Sequence, residues 1–258
     1  MLGAIAGDII GSVYEFRPIK HKDFEPLFAA EAEFTDDTVL TVAVADCLMN
    51  DRDPAEALKN WGRRYPYCSW GRRFREWLFS DDMEPYGSFG NGAAMRVSPA
   101  GFLADSLEDA WAMSDRVTRV THNHPEGLKG ARATVTVIVL ARQGADAQAI
   151  REEVAGRFGY DMVRSVDEVR PGYRFDETCQ RTVPEALTCA LEAEDFEDAV
   201  RNAVSLGGDA DTLAAIAGAV AEARFGVPDA IAGEVFRRLP EDMRSIADQY
   251  RCASGGSR

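Results

Sequence analysis

The chain has 258 residues, of which 46% are hydrophobic and 28% charged, a composition typical of a soluble globular protein. It carries 29 Lys and Arg against 43 Asp and Glu, so its formal net charge is −14. Nucleic-acid affinity depends on basic side chains that displace counterions from phosphates, so a nucleic acid is not expected as the main partner. The apolar runs fall well short of the ~20 residues that cross a bilayer, and we expect no membrane association.

Cysteine and histidine usage restricts the kinds of site that the chain can build. The five cysteines are odd in number and form no Cys-x-x-Cys pair, which argues against a disulfide framework or a zinc cage. This pattern favours a reducing, cytoplasmic location, and Asp8 interrupts the first apolar run where a secretory signal would continue. With only three histidines, any bound metal is expected to be held mainly by oxygen.

The first predicted element is a helix at the N-terminus. Glycine recurs at positions 3, 7 and 11, which leaves one face of such a helix bare and permits close packing. Asp8, Ser12 and Glu15 lie within an arc of about 60° on the same helix. This polar stripe is either solvated or faces an internal cavity with Glu15 at its mouth.

Further along the chain, apolar periodicity predicts more helices. One begins at Val39 and is apolar nearly all round, so it is expected to be buried. Ser106 is a candidate N-cap for an amphipathic helix over 107–120. The segments 196–205 and 212–224 are also predicted as helices, and the second is rich in alanine.

One segment conflicts with this pattern. Residues 134–139 are β-branched and alternating, and propensity alone favours a strand there. A lone strand would have no partner, so we expect packing to override propensity. The prediction is an all-α fold in a single compact multi-helix domain over residues 1–252, a disordered tail at 253–258, and a monomer.

Two acidic motifs precede predicted helices. Residues 35–38 read Thr-Asp-Asp-Thr, and residues 207–212 read Gly-Gly-Asp-Ala-Asp-Thr. Each motif alone is explained by helix capping, because Asp and Thr accept hydrogen bonds from helix N-termini. Each nevertheless offers two carboxylates where a cap needs one acceptor. If the two helix starts face each other, the clustered acids need cations, and Mg²⁺ or Mn²⁺ fit an all-oxygen shell.

Two loops could hold an anion. Residues 87–96 contain three glycines that leave backbone N–H groups free, either as a simple turn or as an anion-binding concavity. Within this loop Phe89 is a candidate for stacking on a base. Residues 121–125 read Thr-His-Asn-His-Pro, which suits ordinary loop capping or a phosphate or ribose contact.

Together and in this order, the five motifs resemble those of the ADP-ribosylglycohydrolase family, over about residues 3–228. The run Gly-Asn-Gly-Ala-Ala-Met-Arg at 90–96 and the motif at 207–212 are the most diagnostic. The resemblance implies an all-α fold around two Mg²⁺ or Mn²⁺ ions and removal of ADP-ribose from an ADP-ribosylated protein or a small conjugate.

The resemblance also implies roles for individual residues. Thr35, Asp36 and Asp37 would bind one ion, Asp209 and Thr212 the other, and Asp211 would bridge both. The substrate-binding residues would be Ser88, Phe89, Gly90, Asn91, Gly92 and His122, which surround the diphosphate and its nucleoside.

The general base is not fixed by the resemblance. Some family members carry an additional Asp between the first two motifs, whereas residues 65–71 of this chain contain no acid. The candidate catalytic residues are therefore Glu15 and Asp37, and Tyr67 or Trp70 is expected to shape the acceptor pocket.

Three hypotheses follow. The leading one is a metal-dependent hydrolase that releases ADP-ribose from an arginine, a serine or a small conjugate. A dinuclear-metal phosphoryl hydrolase would use the same acids, and a non-catalytic ADP-ribose-binding module would bind without turnover. In each case two divalent ions neutralise four carboxylates, so an acidic protein becomes able to bind a diphosphate.

Overall fold

The computed structural model describes residues 1–255, which form an assembly of α-helices. The helices are α1 Leu2–Gly11, α2 Asp36–Met49, α3 Pro54–Arg64, α4 Arg72–Phe79, α5 Gly92–Met95, α6 Ser98–Leu103, α7 Leu107–Thr118, α8 Pro125–Arg142, α9 Ala147–Phe158, α10 Val166–Val169, α11 Cys179–Glu192, α12 Phe196–Ser205, α13 Ala210–Phe225, α14 Asp229–Arg238 and α15 Glu241–Ala253, and a 3₁₀ turn Ser12–Tyr14 follows α1. Over these residues there is no β-strand, only one isolated bridge between Gly90 and Thr178. The predicted all-α fold is confirmed.

The predicted helices form, with small differences at their ends. Ser106 caps α7 by accepting a hydrogen bond from the Asp109 amide, and α12 spans the predicted residues. Helix α2 begins at Asp36, three residues before the predicted start, so Asp36 and Asp37 both lie in its first turn. Residues 134–139 lie in α8 and are all buried, so packing outweighs their strand propensity.

Helix α13 is the central element, and its residues 210–221 are all buried. Helices α1, α8, α11 and α12 pack around it. Helix α1 runs antiparallel to α13 along its glycine stripe: a Cβ atom at Gly3 would lie 2.2 Å from the Gly218 carbonyl oxygen, and one at Gly7 would lie 1.9 Å from that of Ala214. The bare face predicted from the sequence is therefore what allows the two backbones to touch.

This register sets the position of the helix ends. A Cβ atom at Gly11 would lie 2.5 Å from the Ala210 carbonyl oxygen, so the end of α1 lies beside the start of α13. The 3₁₀ turn that follows α1 carries the chain to Glu15 at the same end of α13. The acidic start of α13 and the acid that follows α1 are brought together by helix packing alone.

Three observations bear on the remaining sequence predictions. All five cysteines are free. Among residues 1–255, no helix is both long and apolar enough to cross a membrane. Ala253 ends α15, and Ser254 and Gly255 form a turn, whereas residues 256–258 of the predicted tail lie outside the described residues.

The glycine contact makes a testable prediction for stability. Gly7→Ala introduces a Cβ atom into the α13 backbone, and we expect it to lower the free energy of unfolding by about 3 kcal/mol or more. Urea unfolding measures this change. Gly156→Ala is the matched control, because that exposed glycine of α9 has no atom within 4 Å of its added Cβ; it should raise stability by about 0.5–1 kcal/mol. Equal stability of Gly7→Ala and wild type would contradict the packing.

Candidate functional site

The acidic residues meet where α1 ends and α13 begins. Glu15, Asp209 and Asp211 each offer a carboxylate oxygen, and these atoms all lie within 4.8 Å of one another. The two aspartates are buried and Glu15 is half-buried. Such spacing matches the first coordination shell of a metal ion. This group is part of the acidic cluster, which comprises Asp8, Glu15, Asp36, Asp37, Asp209 and Asp211.

Asp8 of α1 connects this end of the fold to α2. Its fully buried carboxylate accepts hydrogen bonds from the Thr35 amide (3.0 Å), the Thr35 hydroxyl (2.8 Å) and the Thr38 amide (3.0 Å), and a further one from the Thr38 hydroxyl. Asp8 thus satisfies donors at the start of α2 that its own residues leave unpaired. Burial raises the pKa of Asp8 to about 6 although these hydrogen bonds oppose the shift.

The first turn of α2 presents the second pair of acids to the same place. Burial and the charge of Asp8 raise the pKa of Asp36 and of Asp37 well above the ordinary value. Burial followed by the charge of Asp209 does the same for Asp211. Among the charges that act on these three groups, those of other carboxylates dominate.

One buried oxygen of the acidic cluster has no partner in the described structure. Asp37 Oδ2 is inaccessible to solvent and makes no hydrogen bond within residues 1–255. A buried carboxylate oxygen without a partner is costly. The residues therefore fit divalent cations, which would supply both the missing contact and the missing positive charge.

The glycine-rich loop is anchored to the acidic cluster through Asn91. Its side-chain amide donates to Asp209 Oδ2 (2.7 Å) and to the Thr182 hydroxyl (3.1 Å), and its backbone N–H donates to the Glu177 carbonyl (2.7 Å). Asn91 was predicted to contact substrate; here its side chain orients a candidate metal ligand. The adjacent Gly90 forms the bridge to Thr178 that fixes the loop.

These elements enclose a cavity of about 350 Å³, the inner cavity. Its lining contains two groups of opposite charge. The acidic group is Glu15, Asp36, Asp37, Glu177, Asp209 and Asp211, and the basic group is Arg72, Arg73 and Arg96, with the uncharged rings of Tyr86 and His122 beside it. The loop at 90–92 joins them, since Asn91 contacts Asp209 while His122 lies against Gly90 and Gly92. The cavity suits a ligand that meets cations on one side and carries anionic groups toward the other.

His122 is buried and electrically neutral. Burial, followed by the charges of Arg96 and Arg73, holds its pKa well below the ordinary value. Arg73 stacks over the Tyr86 ring, and Tyr86 lies 6.3 Å from the His122 ring between centroids. The positive charge on this side of the cavity therefore comes from arginines.

A larger cavity of about 820 Å³, the outer cavity, adjoins the inner one. Glu15 and Ser69 line both. The rest of its lining includes acidic, basic and aromatic side chains: the acids Glu31 and Glu33, the cations Arg17 and Arg64, and the aromatic residues Phe16, Phe34, Tyr65 and Tyr67. Tyr67 is 98% exposed, and Phe16 stacks on exposed Phe175, so these large apolar side chains are available to a ligand.

The predicted site residues are distributed as follows. The inner cavity brings together Glu15, Asp36, Asp37, Ser88, Gly90, Asn91, Gly92, His122, Asp209, Asp211 and Thr212. Thr35 lines the outer cavity and donates to Asp8, and Phe89 is exposed with its ring 5.2 Å from that of His124. Trp70 is buried against Phe74, so its contribution to the pocket is indirect.

Several polar residues of the inner cavity had no assigned role in the sequence prediction, among them Arg72, Arg73, Tyr86, Arg96 and Glu177. Arg96 belongs to a diagnostic motif, but nothing in that motif reveals that its side chain is buried. Glu177 and Arg73 lie in segments without a recognisable pattern. Only the folded structure brings them to the cavity.

Comparison with known proteins agrees with this geometry. A family model described as ADP-ribosylglycohydrolase matches residues 1–256. The ADP-ribosylarginine hydrolase Tri1 of Pseudomonas putida (strain GB-1) is 29% identical over 88% of this chain and 70% of its own. The ADP-ribosylhydrolase ARH3 of Bos taurus is 25% identical over 97% and 88%, respectively.

A solved structure supports the same assignment at the level of the fold. An ADP-ribosylglycohydrolase-related protein complex superimposes with a TM-score of 0.72 at 25% identity, covering 98% of this chain and 97% of that one. The predicted resemblance and the predicted glycohydrolase are thereby confirmed. The chain belongs to the ADP-ribosylglycohydrolase family.

Proposed function

We propose that the protein hydrolyses the bond between ADP-ribose and an acceptor with the help of two divalent cations, Mg²⁺ or Mn²⁺. The observation that carries the proposal is the convergence of the α2 and α13 starts with Glu15 in a cavity whose other lining is basic. The ribose hydroxyls would meet the acidic cluster, and the diphosphate would lie against the loop at 90–92.

The proposed metal ligands come from two helix starts. Thr35, Asp36 and Asp37 would hold one ion, Asp209 and Thr212 the other, and Asp211 both. The unpartnered Asp37 oxygen supports this assignment. Thr35 donates its hydroxyl proton to Asp8 and accepts from the Asp37 amide, which leaves one lone pair for a cation. When bound, such ions supply positive charge to the sugar hydroxyls and acidify water.

Glu15 is the proposed general base. Burial, followed by the charges of Asp209 and Asp8, raises its pKa to about 7 in the metal-free protein. Bound cations would offset these charges and favour the ionised carboxylate, which is the form that accepts a proton. Glu15 lies between the inner and outer cavities, where a water molecule can reach both it and the sugar carbon. Asp37 remains the alternative base, although it is more deeply buried and is a proposed ligand.

The substrate contacts follow from the cavity lining. Ser88, Gly90, Gly92 and His122 are proposed to hold the diphosphate, while exposed Phe89 stacks on the adenine. Asn91 acts through Asp209 by keeping that carboxylate oriented toward the ion. These residues orient the ligand and exclude water from its anionic part.

The outer cavity is the proposed site of the acceptor. Its carboxylates Glu31 and Glu33 and its aromatic side chains suit a guanidinium group, which binds to carboxylates and stacks on aromatic rings. The named activity of the relative from Pseudomonas putida, hydrolysis of ADP-ribosylarginine, supports the same acceptor. We therefore propose arginine, in a protein or as a small conjugate, ahead of serine.

We further propose that the protein acts as a monomer in the cytoplasm. The free cysteines support a reducing compartment. Glu15, Asp209 and Asp211 come together within a single copy of the chain, which supports a monomer.

The release of ADP-ribose tests the proposed activity directly. With Mg²⁺ or Mn²⁺ present, we expect ADP-ribose from ADP-ribosylarginine, ADP-ribosylserine or O-acetyl-ADP-ribose. Asp211→Asn should lower kcat by at least about a hundredfold, because it removes the proposed shared ligand. Asp105→Asn, an exposed acid between α6 and α7, is the control and should retain wild-type activity.

Other outcomes of this assay identify the competing hypotheses. Phosphate release from nucleotides, without ADP-ribose release, would indicate a phosphoryl hydrolase. Metal-dependent ADP-ribose binding without turnover of any of the three substrates would indicate a binding module.

The raised pKa values predict how metal-free protein responds to pH. A carboxyl whose pKa is higher in the folded state binds more protons there, so stability falls as pH rises. The pH range in which stability falls is set by the two pKa values of each group. It runs from 3.8 to about 6 for Asp8 and from 4.5 to about 7 for Glu15. Thermal unfolding after chelator treatment should therefore show a midpoint that decreases from pH 4.5 to 7. Mg²⁺ or Mn²⁺ should raise the midpoint more at pH 7 than at pH 5.

A cation effect on unfolding that is equal at both pH values would contradict a site formed by these carboxylates. The Asp211→Asn variant provides the internal check, because its midpoint should respond less to the cation at pH 7.

Acceptor preference is tested by kinetics on paired substrates. The double variant Glu31→Gln and Glu33→Gln should raise KM for an ADP-ribosylarginine peptide about two- to fivefold, because interactions between exposed charges are weak. It should change kcat little. KM for O-acetyl-ADP-ribose, which has no cationic acceptor, should stay unchanged. A parallel change on both substrates would argue against an acceptor role for the outer cavity.

A further inference from the structure

Arg96 is buried in an unusual way. Its side chain is 0% exposed, and within residues 1–255 its Nε and Nη1 atoms make no hydrogen bond. Its Nη2 atom donates to the Thr121 hydroxyl at 2.6 Å and lies 3.5 Å from the Val117 carbonyl oxygen and 3.4 Å from His122 Nδ1. A buried guanidinium whose neighbours are a hydroxyl, a carbonyl and an imidazole in place of a carboxylate is energetically costly, which indicates a purpose other than stability.

The direction of each hydrogen bond follows from the donor. A guanidinium has N–H groups and no acceptor, so the Thr121 oxygen must accept from Arg96. The hydroxyl proton of Thr121 is then free to point at His122 Nδ1, which lies 2.8 Å away. Arg96 Nη2 faces the same ring nitrogen. An unprotonated Nδ1 can accept from the Thr121 hydroxyl, whereas a proton on Nδ1 would point at the Arg96 Nη2 donor. The arrangement therefore favours Nδ1 as an acceptor without a proton.

The other ring nitrogen faces the ligand side. A Cβ atom built on Gly90 would lie 3.7 Å from His122 Nε2, and one on Gly92 would lie 3.3 Å from it, so Nε2 points toward the glycine-rich loop. His122 also lines the inner cavity. A neutral imidazole carries one proton, and with Nδ1 unprotonated that proton is on Nε2.

We propose that Arg96 and Thr121 are positioning residues that fix His122 as the Nε2–H tautomer, so that it presents a hydrogen-bond donor to an anionic oxygen in the inner cavity. The identity of that anion, the diphosphate of ADP-ribose, rests on the proposed function. The assignment of the tautomer does not depend on the proposed function. The uncompensated charge of Arg96 adds a positive potential at the same place.

The tautomer is measured on the free protein by ¹⁵N NMR of the histidine rings. Protonated and unprotonated ring nitrogens give well-separated shifts, and the chain has only three histidines. The spectrum of His122→Gln assigns the His122 signals. We expect a protonated Nε2 and an unprotonated Nδ1 at neutral pH. The opposite assignment, or a mixture of both tautomers, would overturn the proposal.

A pair of substitutions at Thr121 separates positioning from packing. Thr121→Val removes the hydroxyl and should produce a mixture of tautomers and an affinity for ADP-ribose, measured with Mg²⁺ by calorimetry, about tenfold weaker. Thr121→Ser keeps the hydroxyl and should restore both the wild-type tautomer and the affinity. Thermal unfolding of each variant confirms that it is folded.

Neither the tautomer nor the affinity for ADP-ribose depends on catalytic turnover. An unchanged tautomer in Thr121→Val, or equal losses of affinity in the Val and Ser variants, would overturn the positioning role. Failure of wild-type protein to bind ADP-ribose would overturn the anion contact. Binding with the expected tautomer but without hydrolysis of any substrate would refute the proposed function and leave this inference standing.

Discussion

The close approach of the α1 and α13 backbones is the constraint on which the rest of the structure depends. Three glycines of α1 lie against carbonyl groups of α13, and any side chain at these positions would clash with the α13 backbone. This contact fixes the register between the helices. The end of α1 is therefore held beside the start of α13, while Asp8, on the same short helix, reaches the start of α2. A single glycine-lined surface thus aligns both acidic motifs.

That alignment concentrates negative charge where the fold can least tolerate it. Buried carboxylates raise one another's pKa, and one of their oxygens has no hydrogen-bond partner within the described residues. The helix N-termini and the Asn91 amide offset part of this cost. The clustered carboxylates therefore destabilise the fold locally, as is common at functional sites. The packed core of α13 and its neighbours holds them in place.

Much of the fold and part of the site could be predicted from sequence. Helix periodicity and capping residues predicted α7 and α12 closely, and motif order identified the acids of α2 and α13. Residues 134–139 became helical because a lone strand has no partner. The roles of Asn91 and Arg96 could not be predicted, because they depend on contacts with Asp209 and Thr121 from distant parts of the chain. Local patterns carry no information about which side chain a buried donor meets.

The shared lining of the two cavities bears on the size of the substrates that the proposed function can accommodate. Glu15 and Ser69 line both cavities, so the nucleotide and its acceptor would lie on either side of these two residues. The outer cavity reaches the surface at Tyr67, which is 98% exposed. Under the proposed function, a modified protein would therefore insert only its modified side chain and leave the rest of its fold in solvent.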